Sequence, residues 1–297
     1  MTWIDRLVRF FVEDEAVDEI LVNGSENLVL IKGVRREIHE SPFEDPSIME
    51  RAIQDLAFSL GLRADPLKPY VGGALSFGKF RLFLRWHSIL RSACPDGPIL
   101  SLRRHRFDSI GLMSFGEWSP PYRRSLDLAF EEDRPVIVMG PTGSGKTSMI
   151  SAILYEYCSQ ERVVILEQYS EISRRSLLWV CLNSLEKERD GSGGLDFESL
   201  FSEVLRMRPD RIVLGEARGS SEGKALLNCL IAGQGGALSS IHCDDIEKGR
   251  LRLASMMGPE AGSILVERNP LYVMMARGNP PKILSMASEG DFLPFSN

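Results

Sequence analysis

The feature that most constrains this chain is a glycine-rich motif near its centre. Residues 140–147 read Gly-Pro-Thr-Gly-Ser-Gly-Lys-Thr, which fits the pattern G-x-x-x-x-G-K-[ST]. The apolar run Val136–Met139 before it predicts a buried strand, and a helix is expected to follow from Ser148 to Tyr155. A strand, a glycine-rich loop and a helix in this order form the phosphate-binding unit of P-loop domains. The alternative is a glycine-rich turn with an incidental lysine. It does not explain why a predicted strand precedes the motif and a predicted helix follows it.

The chemistry of this loop indicates ATP and Mg²⁺ as cofactors. Glycines let successive backbone amides face inward around anionic phosphates, and the helix N-terminus adds partial positive charge. Lys146 is expected to reach the β- and γ-phosphates, and the hydroxyl of Thr147 is expected to ligate Mg²⁺. The predicted nucleotide contacts in this loop are Gly140, Thr142, Gly143, Ser144, Gly145, Lys146, Thr147 and Ser148.

The pattern of apolar runs divides the chain into two domains and a linker. Residues 1–105 mix helical periodicity with short β-type runs, including one at 79–86, which predicts a smaller α+β N-terminal domain. Residues 106–121 are turn-rich and end in Ser-Pro-Pro, which is typical of a linker. In residues 122–297, four strand candidates alternate with helical stretches, which predicts an α/β domain whose mostly parallel sheet is covered on both faces. These candidates are Val136–Met139, Val163–Leu166, Ile212–Leu214 and Leu238–Ile241.

Three ionisable residues follow strand candidates of the second domain. Glu167 and Glu216 each come at the end of such a run, and His242 ends the run that begins at Leu238. Ligands of open parallel sheets bind beyond the carboxyl ends of the strands, so these side chains are candidates to face the phosphates. The alternatives are surface acids at strand ends and a structural histidine.

Composition excludes several other classes. The formal net charge of −6 and the pI of about 5.4 argue against a general nucleic-acid binder. The five cysteines form no C-x-x-C pair, so we expect reduced cysteines in a cytoplasmic protein and no metal site built from them. No apolar run approaches the roughly 18 residues that span a bilayer, and the acidic start lacks the apolar segment of a signal peptide. We therefore expect no direct insertion into a membrane.

Several stretches resemble the ATPase superfamily of type II and type IV secretion and pilus assembly. The most specific is residues 205–218, Leu-Arg-Met-Arg-Pro-Asp-Arg-Ile-Val-Leu-Gly-Glu-Ala-Arg, which is similar to the family's Walker B region. Residues 161–171 resemble its acidic box, and residues 236–242 resemble its histidine box. Residues 17–24 and 96–104 resemble the opening and closing segments of its N-terminal domain. The likeness is greatest to the branch that drives tight-adherence pili.

This resemblance implies a function and a set of roles. It implies a RecA-like P-loop domain in which Glu216 and His242 act in hydrolysis and Glu167 orients the attacking water. By the same resemblance, Arg81, Arg103 and Arg104 of the N-terminal domain are expected to contact the γ-phosphate. The family implies a homohexameric ring on the cytoplasmic face of the inner membrane, bound to platform proteins of a pilus or secretion machine. ATP hydrolysis would power that machine.

Departures from the family's pattern leave an alternative open. Gln168 follows Glu167 where the family usually has aspartate, and Gln234 stands where an earlier histidine is common. Only 55 residues follow His242, which implies a shortened C-terminal region. These features favour, as the alternative, a catalytically weakened nucleotide-binding regulatory subunit of the same machine. A second rival is a nucleic-acid motor, which also uses a RecA-like domain but is opposed by the acidic pI.

Overall fold

The chain forms two compact units, Met1–Arg106 and Phe107–Asn297. The computed structural model describes residues 2–80, 82–105, 111–116, 120–172, 176–185, 194–233, 236–278 and 281–292. None of the helices in these ranges is at once long enough and apolar enough to cross a membrane.

The first unit is an antiparallel sheet of six strands with two helices, which confirms the predicted α+β class. The strand order is β3-β2-β1-β6-β5-β4. Its elements are α1 (Trp3–Glu13), β1 (Glu19–Asn23), β2 (Asn27–Lys32), β3 (Arg35–Glu40), α2 (Pro46–Ser59), β4 (Tyr70–Phe77), β5 (Leu82–Ile89) and β6 (Ile99–His105).

Helix α1 shows how local sequence starts an element and packing completes it. The hydroxyl of Thr2 accepts from the amide of Asp5, and the Asp5 carboxylate accepts from the amide of Thr2, so a capping box begins the helix. Leu7, Val8 and Phe11, spaced at helical intervals, are buried in the unit's core.

The strand predicted at 79–86 is wrong in its bounds. Residues Gly78–Phe80 form a single 3₁₀ turn, and the strand runs from Leu82 to Ile89. The reason is the β4–β5 hairpin, in which Phe77 pairs with Leu82, so the residues between them must turn.

The second unit is a seven-stranded sheet with the order β13-β12-β7-β11-β10-β8-β9, parallel except at the edge strand β13. The four predicted strands are present, and the prediction missed three others, β9, β12 and β13. The elements are α3 (Pro120–Glu131), β7 (Val136–Gly140), α4 (Lys146–Tyr157), β8 (Val163–Glu167), β9 (Val180–Asn183), α5 (Phe197–Val204), β10 (Arg211–Ala217), α6 (Ser220–Ala232), β11 (Leu238–His242), α7 (Ile246–Met257), α8 (Ala261–Arg268), β12 (Leu271–Ala276) and β13 (Lys282–Ser288).

Both faces of this sheet are buried, as the continuous apolar strands predict. Along β7, Ile137 and Met139 pack into one hydrophobic cluster, while Val136 and Val138 pack into another on the opposite face. Described residues of the segment predicted as a linker, 106–121, belong to this unit. Leu112 and Phe115 are buried in its core, and α3 already begins at Pro120.

Candidate active site

The P-loop has the backbone geometry that its glycines predict. Gly140, Gly143 and Gly145 have φ angles of 153°, 78° and 81°, and helix α4 begins directly after them. A Cβ atom on Gly140 would lie 2.6 Å from the Ser144 hydroxyl, and one on Gly145 would lie 2.9 Å from Pro281. Only glycine therefore fits these positions, and the loop retains amides that can face an anion.

The other loop residues are placed as the motif requires. The Ser144 hydroxyl is buried, with no hydrogen-bond partner among the described residues. Thr142 is exposed, and its carbonyl accepts a hydrogen bond of 2.7 Å from Nε of Arg277. Ser148 is half-buried in the first turn of α4. An anion held by the loop would meet an unpartnered hydroxyl and the N-terminus of α4.

Lys146 and His242 are in direct contact. The Lys146 ammonium donates to the carbonyls of Gly140 and Pro141 at 3.0 and 3.2 Å, and its Nζ lies 2.9 Å from Nδ1 of His242. The pairing of β7 with β11 makes this contact possible, because His242 lies opposite Gly140. Burial lowers the pKa of Lys146, and burial also lowers the pKa of His242. Since an ammonium can only donate, Nδ1 accepts, and His242 carries its proton on Nε2.

Glu216 continues this chain of polar contacts. Its Oε1 lies 2.6 Å from Nε2 of His242, and its Oε2 accepts a hydrogen bond from Nε of Arg218. Arg218 donates in turn to the side-chain oxygen of Gln168 at 3.0 Å. The β10–β11 pairing is irregular between Leu214 and Ala217, and such an irregularity turns a side chain away from its regular direction. The result is a continuous network from Lys146 to Gln168.

Glu167 is the most deeply buried carboxylate of the site, with 5% of its surface exposed. It accepts hydrogen bonds of 3.1 to 3.3 Å from the amides of Glu171 and Ile172. Burial raises the pKa of Glu167 to about 8, although these amides oppose the shift and the charge of Glu171 adds to it. A carboxyl group with this pKa is mostly protonated at pH 7 and ionises as the pH passes 8.

A pocket open to solvent lies beside these groups and includes Glu167, Glu171, Glu216 and Arg218 in its lining. Thr147 borders this region, and its hydroxyl donates to Oε2 of Glu171 at 3.1 Å. The contact between Thr147 and Glu171 was not foreseen from the sequence. Strand order explains the convergence, because β7, β11, β10 and β8 are neighbours and their carboxyl ends meet at one edge.

The N-terminal arginines divide into different environments. Arg81 lies outside the described residues. Arg104 donates to the carbonyls of Val17 and Asp14 at 2.9 and 3.1 Å and to that of Phe11, and it stacks on the Phe11 ring. Its guanidinium is therefore committed to the end of α1, which gives the predicted γ-phosphate role of Arg104 no support.

Arg103 points to the opposite face of the first unit's sheet and is exposed. Directly across from it on β5 is Arg85, which the sequence analysis missed because only the strand register brings the two together. On its other side Arg103 pairs with Glu19 of β1, so an acidic and a basic residue flank it on this face of the sheet. Gln234, the other noted departure, lies outside the described residues.

Known proteins resemble the chain in sequence and in fold. Residues 108–277, more than half of the chain, match the family described as "Type II/IV secretion system protein". A putative conjugal transfer protein of Mycobacterium tuberculosis is 30% identical over 235 residues, which cover 78% of this chain and 66% of that protein. The chain thus spans about two thirds of that relative's length. The conjugal transfer protein TrbB of Rhizobium radiobacter is 26% identical over 262 residues, covering 86% of this chain and 77% of TrbB.

Solved structures support the fold. The pilus retraction motor PilT, crystallised with ADP, aligns over 100% of this chain and 84% of its own with a TM-score of 0.65 and 15% identity. The Legionella pneumophila ATPase DotB aligns over 95% of this chain and 79% of its own with a TM-score of 0.61 and 18% identity. The α/β class with a RecA-like domain is confirmed, while the tight-adherence branch stays a prediction. The chain belongs to the type II/IV secretion system protein family.

Proposed function

We propose that this protein is a Mg²⁺-dependent ATPase that powers pilus assembly or protein secretion. The observation that carries the proposal is the meeting of the P-loop, His242, Glu216 and Glu167 at the carboxyl ends of four adjacent strands. This arrangement supplies a phosphate cradle, a buried base and a connected polar network within one site.

The donor set of the site fits ATP and Mg²⁺. The described residues contain no group of three or more His, Cys, Asp or Glu side chains that could enclose a metal. Such a cage is not required, because Mg²⁺ in nucleotide sites takes most of its ligands from phosphates and water. Thr147 offers a hydroxyl, and the neighbouring carboxylates offer the oxygen atoms that Mg²⁺ prefers. When bound, Mg²⁺ would neutralise charge that develops on the phosphates.

The protein's own groups would then perform distinct tasks. Lys146 would exchange its contacts with the Gly140 and Pro141 carbonyls for phosphate oxygens. Glu167 would orient the attacking water and accept its proton when ionised, and its pKa of about 8 means that this form becomes the major one only above pH 8. His242 would hold Glu216 in place through Nε2. Its Nδ1 would contact Lys146, so His242 would connect Glu216 with the P-loop lysine.

The wider machine is part of the same proposal. Six copies would form a ring on the cytoplasmic side of the inner membrane and act on platform proteins there. Arg103, which is exposed, would bind the γ-phosphate and let the N-terminal unit distinguish ATP from ADP. The alternative is a weakened regulatory subunit. It is favoured by Gln168, whose neutral side chain contacts Arg218 beside Glu216 at a position where the family usually has an aspartate.

The test compares nucleotide binding and phosphate release in the wild type and in Lys146→Ala, with the exposed Lys248→Ala as the control. We expect Lys146→Ala to lose both activities and Lys248→Ala to keep both, because only Lys146 lies in the P-loop. Wild-type protein that binds Mg-ATP without releasing phosphate would select the regulatory alternative. Wild-type protein that binds no nucleotide would refute both the ATPase and the regulatory alternative.

A separate measurement tests the ring. The mass measured in solution with an ATP analogue should approach that of six chains of 33.2 kDa, about 200 kDa.

A further inference from the structure

The apex of the P-loop is a β-turn made of Pro141, Thr142, Gly143 and Ser144. The amide of Ser144 donates to the carbonyl of Pro141 at 3.2 Å, which closes the turn. Gly143, the third residue, has a φ of 78°, which matches the value of about 80° at this position of a type II turn. In a type I turn the same position has a φ of about −90°, and the two types differ by a flip of the central peptide. Here that peptide joins Thr142 to Gly143.

The local sequence and packing leave both turns open to this segment. Glycine adopts positive and negative φ about equally readily, so Gly143 permits either type. Thr142 and Gly143 are exposed, and a Cβ atom placed on Gly143 would meet no atom of the described residues within 4 Å. The central peptide therefore has room to rotate, and a specific contact is needed to fix its orientation.

Arg277 makes such a contact. It directly follows β12, and its Nε donates to the carbonyl of Thr142 at 2.7 Å. The same connection between β12 and β13 also reaches the other end of the loop, because Pro281 packs against Gly145, where an added Cβ atom would lie 2.9 Å from its Cγ. Strand β12 lies beside β7, which leads into the P-loop, so strand order brings this connection to the loop.

A hydrogen bond to the Thr142 carbonyl also orients the next amide. A trans peptide is planar, so its C=O and N–H groups point in opposite directions. Because Arg277 holds the Thr142 carbonyl on its own side, the amide of Gly143 points away from Arg277. P-loop amides of this kind cradle the α- and β-phosphates of a nucleotide. A flipped peptide would turn a carbonyl oxygen, which repels an anion, to the side that the amide now faces.

We propose that Arg277 is a positioning residue that holds the P-loop apex in the type II turn and so orients the Gly143 amide for phosphate. It acts through the Thr142 carbonyl and needs no contact of its own with the nucleotide. The inference rests on the proposed nucleotide site, which it deepens. Where only a fraction of the molecules has the binding-competent loop, the apparent Kd rises by the inverse of that fraction.

The experiment measures the affinity of Mg-ADP and of a non-hydrolysable ATP analogue for the wild type, Arg277→Met and Arg277→Lys. Arg277→Met keeps an unbranched stem without a donor, and we expect about 5- to 10-fold weaker binding, the effect of one lost hydrogen bond. Both nucleotides should lose alike, because both carry the α- and β-phosphates. Arg277→Lys keeps a donor and should lose less. The control is Arg206→Ala, an exposed arginine paired with Glu203, which should match the wild type.

Salt dependence separates this role from a direct contact with the nucleotide. Exposed charge pairs are screened strongly between about 0.1 M and about 1 M salt. The ratio of the Arg277→Met and wild-type Kd values should stay constant over this range, because the proposed contact joins Arg277 to a neutral carbonyl. A deficit that vanishes at high salt, or one confined to the ATP analogue, would mean that Arg277 attracts phosphate directly and would overturn the inference.

Crystal structures of the wild type and Arg277→Met, both without nucleotide, follow the turn itself. The wild type should show the Thr142 carbonyl on Arg277, and the variant should show the flipped peptide, alone or beside the original one. An unflipped peptide in the variant, or unchanged affinity for both nucleotides, would overturn the inference. Wild-type protein that binds neither nucleotide would instead refute the proposed site. Because Arg277 is exposed, we expect the variant to fold, and Arg277→Lys decides by its affinity if it does not: binding as weak as a 10-fold loss would then contradict a role for the donor.

Discussion

Replacing Glu167 by glutamine should stabilise the protein while impairing its proposed activity. In the folded state burial raises the pKa of this carboxyl from 4.5 to about 8, so the folded protein holds the proton more strongly than the unfolded chain does. Stability is therefore lost as pH rises from about 4.5 towards 8. Glutamine has nearly the same shape and does not ionise, so Glu167→Gln removes this loss.

The magnitude follows from the size of the shift. A difference of about 3.5 pH units corresponds to about 5 kcal/mol once the carboxylate is ionised in both states, above pH 8. At pH 7 the folded carboxyl is still mostly protonated, and the loss is about 3 kcal/mol. At pH 4 both states are mostly protonated, so the wild type and the variant differ only by the intrinsic effect of the amide.

The assay is urea unfolding of both proteins between pH 4 and pH 9, without nucleotide. The stability of Glu167→Gln relative to the wild type at pH 4 serves as the internal reference. We expect the variant to gain about 3 kcal/mol over that reference at pH 7, which is about 6–12 °C in melting temperature for a unit of this size. A difference that stays constant from pH 4 to pH 9 would refute the argument, because it would mean that Glu167 ionises freely in the folded protein.

The remaining predictions concern neighbouring groups. Glu216→Gln should keep ATP binding and lower kcat by about 100-fold or more, measured by phosphate release; a near wild-type rate would reduce Glu216 to a strand-end acid. Arg103→Ala should weaken binding of an ATP analogue more than that of ADP, unlike the exposed control Arg51→Ala; equal effects on both nucleotides would leave the first unit without a sensing role. Arg104→Ala should lower stability by about 2 kcal/mol and spare nucleotide affinity, since its contacts lie around α1; weaker nucleotide binding would contradict this assignment.

The parts of the site that the sequence predicts are those encoded within a few residues. The motif at 140–147 specifies the loop, its positive φ angles and the helix that follows. The four strand candidates carry continuous apolar runs, which only a buried sheet accommodates. The sequence did not predict the outer strands of the sheet, β9, β12 and β13. Strand β9 has only four residues, and β12, Leu-Tyr-Val-Met-Met-Ala, could equally be a stretch of buried helix.

The contacts that specify the chemistry depend on register and strand order, which periodicity does not encode. His242 is a candidate in the sequence, but its contact with Lys146 requires β11 to lie beside β7 with His242 opposite Gly140. The contact of Thr147 with Glu171 depends similarly on a loop that follows β8 and returns to the P-loop. No spacing rule along the chain brings these pairs together.

Arg103 and Arg104 are adjacent and identical in the sequence, but the strand places their side chains in different environments. The two are adjacent on β6, and successive side chains of a strand point to opposite faces. One face meets the core, where the guanidinium of Arg104 donates to the carbonyls of Phe11 and Asp14 at the end of α1. The other face places Arg103 between Glu19 of β1 and Arg85 of β5, where its side chain is exposed. Two adjacent arginines predicted to act together therefore differ in their surroundings, because Arg104 supports the fold of the first unit while Arg103 lies exposed on the opposite face of the sheet.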